Sequence, residues 1–291
     1  GFDWASTDRV VEVAARHGMT VLPFLVGTPS WLAPSQTSLP VGSRRARHAW
    51  VSFVRAAARR YGPGGGFWRA HSAASPEPLP RLPIRTWQIW NEPNFFYFAR
   101  PISPRLYGRL VEVSARALDG VDPHARVLLG GLFGHPHEPR GRGMPAPRFL
   151  AALLGVRGIR SALAGIALHP YATRISTLES LVRQMRRVAL RHGAGRVPLY
   201  ITEMGWGSQS DSRAVGFERG PRGQARDLRL AYRFLLRERR RLRLAAVYWF
   251  SWKDLADSCD FCDSTGLFHA GSGFEPKPAW KTFVRITGGR P

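Results

Sequence analysis

The sequence has few cysteines, lysines and acidic residues, and it has no long apolar run. Two cysteines among 291 residues allow at most one disulfide bridge. Only three of the 43 basic residues are lysines, and 20 acidic residues leave a formal net charge of +23. No apolar stretch approaches the roughly 18 residues that a membrane helix needs. We therefore expect no membrane span.

The surplus of arginine raises the question of nucleic-acid binding. The arginines are spread along the whole chain, and no nucleic-acid motif accompanies them, which favours a solvated basic surface and no specific nucleic-acid partner. The chain is 44% hydrophobic, which is too apolar for a disordered protein. We expect it to fold.

Helical and strand patterns alternate along the chain, and each predicted strand is flanked by helices. The predicted strands span residues 20–26, 84–90, 126–130, 164–169, 198–202 and 244–250, and the predicted helices span residues 8–16, 44–61, 104–118, 148–156, 177–192, 223–240 and 278–286. Strands joined by helices form a parallel sheet that is buried on both faces. The pattern predicts an α/β fold and a single domain over residues 1–291, with residues 62–83 as an insertion.

Two of the predicted strands lead into a glutamate. Residues 84–90 are followed by Asn91 and Glu92, and residues 198–202 are followed by Glu203. The carboxyl end of a barrel strand is where catalytic groups are found, and a pair of carboxylates fits glycoside hydrolysis. Position alone leaves a second interpretation open, in which both are ordinary acids at strand ends.

The amino-acid sequences around the two glutamates favour a catalytic pair over ordinary acids at strand ends. Trp87 to Asn94 reads WQIWNEPN, and Leu199 to Trp206 reads LYITEMGW. Together they closely resemble the retaining glycoside hydrolases of clan A, which are (β/α)8 TIM barrels with an acid/base glutamate after an asparagine on strand four and a nucleophilic glutamate on strand seven. Within that clan the chain most resembles the family 39, cellulase-like group of β-xylosidases and α-L-iduronidases.

The resemblance implies a role for each matching residue. Glu92 would be the general acid/base, Glu203 the nucleophile, and Asn91 a hydrogen-bond partner of the sugar 2-hydroxyl. A nearby ionised Glu203 would raise the pKa of Glu92 and keep it protonated. The pair would lie about 5 to 5.5 Å apart and retain the anomeric configuration, with no cofactor or metal.

Further residues are candidates for binding a carbohydrate substrate. The resemblance places His169 and Tyr171 beside the nucleophile or in the floor of a subsite, although a lone histidine here fits a core residue almost as well. Sugars stack their apolar faces on aromatic rings, which makes Trp31, Trp206 and Trp252 candidates, although most aromatic residues belong to a core. The net charge favours an anionic glycan as the substrate.

The loop after the last strand carries Cys259 and Cys262. A CxxC motif is typical of a redox site, half a zinc site or a local disulfide. Zinc needs a second pair of ligands and a redox motif needs a thioredoxin-like context, so we predict a disulfide that staples the loop. Such a bridge suits an extracellular or secreted protein.

The resemblance also implies a departure from the family. Residues 20–26 align with the third barrel strand, so six of eight strands are present, and we expect the natural gene product to start earlier. Two other functions stay open: a transglycosylase that uses the same site, and a non-catalytic barrel that binds carbohydrate or polyanions.

Overall fold

The structure is a computed structural model that describes residues 1–135, 142–210, 216–255 and 262–289. The strands are β1 Phe24–Leu25, β2 Thr86–Ile89, β3 Arg126–Leu129, β4 Leu132–Phe133, β5 Ile166–His169, β6 Leu199–Ile201 and β7 Leu244–Val247. The helices are α1 Ala5–Arg16, α2 Arg44–Tyr61, α3 Gly66–Ala70, α4 Pro104–Asp119, α5 Ala146–Leu154, α6 Ile159–Ala162, α7 Ile175–Arg191, α8 Gly220–Arg237, α9 Arg239–Leu242 and α10 Pro278–Thr287.

These residues form two compact units. Unit 1 comprises Gly1–Gly130, Phe149–Ile166 and the described part of Glu138–Met144, and it holds a sheet with the strand order β1-β2-β3. Unit 2 comprises the described parts of Gly131–His137 and Ala167–Pro291 together with Pro145–Arg148, and its sheet has the order β4-β5-β6-β7. Four of the strand pairings, β1–β2, β2–β3, β4–β5 and β6–β7, are parallel. Parallel strands joined by helices confirm the predicted α/β class, and the single domain stays a prediction.

In unit 1 helix α4 packs against β2 and β3, and helix α2 packs against α4. Helix α2 begins after Ser43, whose hydroxyl accepts a hydrogen bond from the Ala46 amide and so satisfies one of the free amides of the first turn. Its buried residues recur at helical spacing, and the Trp50 indole donates to Ser114 of α4 at 2.8 Å. Side chains from both helices thereby form the core behind β2.

In unit 2 the centre of the core is β5, in which every residue is buried. Helix α8 is amphipathic, and it buries Leu228, Ala231 and Leu235 while its arginines occupy the other face. Helix α10 packs against α8, with the Tyr232 and Phe283 rings meeting edge to face at 5.9 Å. The arginine-rich face of α8 is thus a consequence of amphipathic packing.

The predicted helices agree with the structure more closely than the predicted strands do. All seven helices are present, and α2 has the predicted ends, whereas the six strands are each shorter than predicted. Residues 20–26 contribute only β1, in which Phe24 is 53% exposed, so the prediction of a buried strand is wrong there. The physical reason is that β1 lies at the end of its sheet. Helices α3, α6 and α9 were not predicted as separate elements, and neither was strand β4, which follows β3 after two glycines.

In the described part of the chain, no helix has the length and apolar character needed to cross a membrane.

Candidate active site

Glu92 lies in unit 1, in a tight turn that follows β2. Trp90 and Glu92 both have left-handed backbone conformations, with φ of 70° and 40°. The turn is held by its own polar groups: the Trp90 indole donates to the Phe98 carbonyl at 2.7 Å, and the Asn94 side-chain amide donates to the Met144 carbonyl at 2.8 Å. Non-glycine residues adopt this conformation only where their surroundings enforce it. The turn therefore holds Glu92 in a defined place.

The protonation of Glu92 is set by its burial. The residue is 5% exposed, and burial raises the pKa of its carboxyl from 4.5 to about 8. A carboxyl that loses its hydration is disfavoured as the ion. Glu92 therefore carries a proton at neutral pH, which is the state that a general acid needs.

Asn91, next to Glu92, has an unusual environment. It is 6% exposed, and its Oδ1 atom has no hydrogen-bond partner among the residues that the structure describes. Buried polar side-chain atoms are generally hydrogen-bonded, so an exception points to a ligand or a water. An oxygen in this state can accept a hydrogen bond from a hydroxyl group, which fits the role that the sequence predicts for Asn91.

Glu203 lies in unit 2, two residues beyond the end of β6. The Tyr171 hydroxyl donates a 3.0 Å hydrogen bond to Oε2 of Glu203, and Nδ1 of His169 lies 3.5 Å from the same oxygen. The Glu203 side chain is 22% exposed. Unit 2 thus brings two predicted site residues, Tyr171 and His169, to the carboxylate of a third, Glu203, which solvent can still reach.

His169 is a buried, neutral member of this group. Burial lowers the pKa of its imidazole, and Glu203 offsets part of that effect. Nε2 lies 3.0 Å from the Thr202 hydroxyl, so both ring nitrogens face polar atoms of the β6 end. A Cβ on Gly131 would overlap the imidazole ring, and glycine at that position therefore makes room for His169.

The chain that follows Glu203 is fixed to the end of β7. The Phe250 amide donates to the Met204 carbonyl at 2.9 Å, and a Cβ on Gly205 would overlap the Phe250 carbonyl. Trp206 is 1% exposed and donates its indole N–H to the Ala172 carbonyl at 2.9 Å. The fold thus gives Trp206 a packing role, and its contact with substrate stays a prediction.

The other two candidate tryptophans are exposed. Trp31 of unit 1 is 62% exposed, and the Arg45 guanidinium lies 5.9 Å from its ring centroid. Trp252 of unit 2 is 55% exposed and meets the Trp280 ring edge to face at 5.4 Å. Both side chains are therefore accessible to solvent, and their role in substrate binding stays a prediction.

Unit 2 also contains a buried lysine, Lys277, which the sequence patterns did not predict as part of a site. The Lys277 side chain is fully buried, with its ammonium 2.5 Å from Oδ1 of Asp254, 2.8 Å from the Ser208 hydroxyl and 3.0 Å from the Ser264 carbonyl. Burial lowers the pKa of Lys277, while the hydrogen bond to Asp254 raises it. It joins the loop after Glu203 to the loop after β7. The only sequence signal was a lysine in a chain that otherwise uses arginine.

The predicted disulfide falls partly outside the described chain. Cys262 is buried, and Cys259 lies outside the residues that the structure describes. The bridge between Cys259 and Cys262 stays a prediction.

Comparison with known proteins gives the context for this geometry. No family model matches the chain. A β-xylosidase of Geobacillus stearothermophilus is 46% identical over 57 residues, which is 19% of this chain and 11% of that protein. A monomeric β-xylosidase from Caulobacter crescentus has a TM-score of 0.66 and 20% identity, over 98% of this chain and 56% of that one. The GH39 enzyme from Xanthomonas axonopodis pv. citri has a TM-score of 0.68 and 18% identity, over 99% and 55%.

The chain spans about half the length of the solved structures that it matches. The TM-scores of 0.66 and 0.68, at identities of 20% and 18%, show the fold alone, and they confirm the predicted barrel class. The chain has the fold of the (β/α)8-barrel glycoside hydrolases, of which it covers part, and the proteins that share this fold with it include GH39 β-xylosidases and a GH53 catalytic domain.

Proposed function

We propose that this protein is a retaining glycosidase, in which Glu92 is the general acid/base and Glu203 is the nucleophile. The observation that carries the proposal is the contrast between the two carboxyl groups. Glu92 is buried and protonated at neutral pH, whereas Glu203 is accessible and receives a hydrogen bond from Tyr171. Retaining hydrolysis needs one carboxylic acid that donates a proton and one carboxylate that attacks carbon.

The reaction follows from these two states. A Glu203 oxygen forms a bond to the anomeric carbon while the bond from that carbon to the leaving oxygen breaks, and the Glu92 proton moves to the leaving oxygen. Glu92 is then a carboxylate and takes a proton from water. The water oxygen attacks the anomeric carbon, the ester to Glu203 breaks, and both glutamates return to their first states. Tyr171 and His169 hold the Glu203 carboxylate for the attack.

The test measures hydrolysis of a panel of aryl glycosides and polysaccharides by the unsubstituted protein and by Glu203→Ala. Xylosides come first, because relatives in sequence and structure are named β-xylosidases. We expect the substitution to abolish turnover and leave the fold intact. Glu275→Ala, which removes an exposed glutamate of the same unit, is the matched control and should keep full activity.

The stereochemistry of the product tests whether Glu203 is the nucleophile. Proton NMR of the first-formed sugar should show retention of the anomeric configuration. An inverted product would overturn the assignment of Glu203 as the nucleophile. Binding without turnover of any substrate in the panel would instead favour a carbohydrate-binding barrel, and transfer to a sugar at high acceptor concentration would favour a transglycosylase.

We propose further that the substrate is an anionic glycan and that the protein works outside the cell. The first proposal is supported by the net charge of +23, which concentrates anions at low salt. It fails if hydrolysis of acidic and neutral polysaccharides responds equally to salt. The location outside the cell is supported by the CxxC loop, because a disulfide there would suit an oxidising environment. The bridge is tested by the mass of the intact protein before and after reduction, which should differ by two hydrogen atoms.

A further inference from the structure

The turn that carries Glu92 is held in a strained backbone conformation. Two residues within three positions, Trp90 and Glu92, have positive φ without being glycine. Such conformations persist only where neighbouring groups over-determine them. The groups that hold this turn therefore also decide where the Glu92 carboxyl lies.

One buried hydroxyl acts on this turn from helix α4. The Tyr107 hydroxyl donates to the Ile89 carbonyl at 2.8 Å and accepts from the Gly130 amide at 2.6 Å, and the residue has no exposed surface. The Ile89 carbonyl belongs to the peptide that precedes Trp90, so its direction is coupled to the φ angle of Trp90. Tyr107 thus fixes the peptide from which the left-handed turn departs, and it also joins the ends of β2 and β3.

The position of the turn also depends on the lack of a side chain at Gly130. A Cβ on Gly130 would lie 2.7 Å from the Trp90 carbonyl oxygen and 2.9 Å from the Ile89 carbonyl oxygen. Contacts that short do not occur between real atoms, so any larger residue would push the turn away. Tyr107 therefore holds the turn by hydrogen bonds, and Gly130 lets it approach.

We propose that Tyr107 is a positioning residue that orients Glu92 for proton donation, acting through the Ile89–Trp90 peptide and Gly130. The proposal rests on the proposed function in one respect, since it assigns the geometry of the proton donor. Tyr107 itself does not contact the reacting atoms; burial raises the pKa of its phenol, which keeps the hydroxyl proton available for the Ile89 carbonyl.

The test compares Tyr107→Phe with the unsubstituted protein on two aryl glycosides of one sugar. A dinitrophenyl group leaves without a proton, whereas a phenyl group needs one, so only the second reports on Glu92. We expect kcat/KM for the phenyl glycoside to fall about 10-fold to 100-fold, which is part of the roughly 100-fold to 10,000-fold that general acid catalysis contributes, and kcat/KM for the dinitrophenyl glycoside to change less than about 3-fold.

The matched control is Tyr61→Phe. Tyr61 is also a buried tyrosine of unit 1, and its hydroxyl is hydrogen-bonded to Asp8 at 2.7 Å. Tyr61→Phe also removes a tyrosine hydrogen bond. It should lower kcat/KM for the phenyl and the dinitrophenyl glycoside by the same factor, or leave both values unchanged. Gly130→Ala displaces the same turn because its Cβ would overlap the Trp90 and Ile89 carbonyls, and it should reproduce the selective loss expected for Tyr107→Phe.

The outcomes separate this inference from the proposed function. If kcat/KM of Tyr107→Phe falls by the same factor for the phenyl and the dinitrophenyl glycoside, or falls for neither, the positioning role is overturned. If the unsubstituted protein hydrolyses neither glycoside, the proposed function fails, and the inference is then judged by NMR titration of Glu92 in protein with ¹³C-labelled glutamate. A pKa of Glu92 that is lower in Tyr107→Phe than in the unsubstituted protein supports a displaced carboxyl, and an unchanged pKa overturns the inference.

Discussion

Replacement of Glu92 by glutamine should make the protein more stable at neutral and basic pH. The Glu92 pKa is about 8 in the folded protein against an ordinary value of 4.5. Between these two pH values the unfolded chain releases the proton and the folded protein keeps it. The unfolded state gains that ionisation free energy, so stability falls as pH rises from 4.5 towards 8. Glutamine does not ionise, and Glu92→Gln should not show this fall.

The size of the effect follows from the same two values. Each pKa unit corresponds to about 1.4 kcal/mol, so the stability difference between Glu92→Gln and the unsubstituted protein should grow by about 5 kcal/mol between pH 4 and pH 9. At pH 7 about 3 kcal/mol of it is present, because ionisation in the folded state has scarcely begun. A constant offset from the amide's own hydrogen bonds does not alter this growth with pH.

The assay is guanidinium unfolding at pH 4, 6, 7 and 9, with the two free energies of unfolding compared at each pH. Glu275→Gln is the control, because it removes an exposed carboxyl of the same type. If the free energies of unfolding of Glu92→Gln and the unsubstituted protein differ by the same amount at every pH, burial does not hold the proton on Glu92. The assignment of Glu92 as the acid would then lose its physical basis.

Three further outcomes are expected. The pH profile of kcat/KM should have a basic limb near pH 8, since Glu92 loses its proton there, and a constant rate from pH 6 to pH 10 would contradict this. Gly131→Ala should cost about 1 to 3 kcal/mol in chemical unfolding because its Cβ overlaps the His169 ring, whereas Gly42→Ala, with open space around its Cβ, should cost little. Lys277→Met should cost about 3 kcal/mol because it leaves Asp254 without its buried partner, and an effect no larger than that of exposed Lys281→Met would refute the role of the buried pair.

The helices were predictable because their patterns are local. Helix α2 has an N-cap serine at its start and buried residues at helical spacing, and both signals lie within its own 18 residues. The ends of the strands were less predictable. Residues 21–26 are apolar throughout, yet only Phe24–Leu25 pair with a neighbour, because strand length depends on the partner strand and not on the strand's own residues.

The candidate site was predictable in its residue types and not in its supports. The carboxylates at the ends of two strands were found from the segments that contain them. Tyr107, Gly130 and Gly131 were not found, because each acts on a residue that is distant in the chain. Lys277 was counted as one of three lysines, and its ion pair with Asp254 spans 23 positions, which no local pattern records.

The sequence by itself determined the alternation of helices and strands, and it placed Glu92 and Glu203 directly after strands, because hydrophobic periodicity and chain order are local properties. Only the tertiary structure decided the state of each carboxyl. The pKa of Glu92 rises because distant parts of the chain exclude water from it, and Glu203 is oriented because Tyr171, 32 positions away, donates a hydrogen bond to it. Solvent exclusion and long-range hydrogen bonds exist only once the chain has folded.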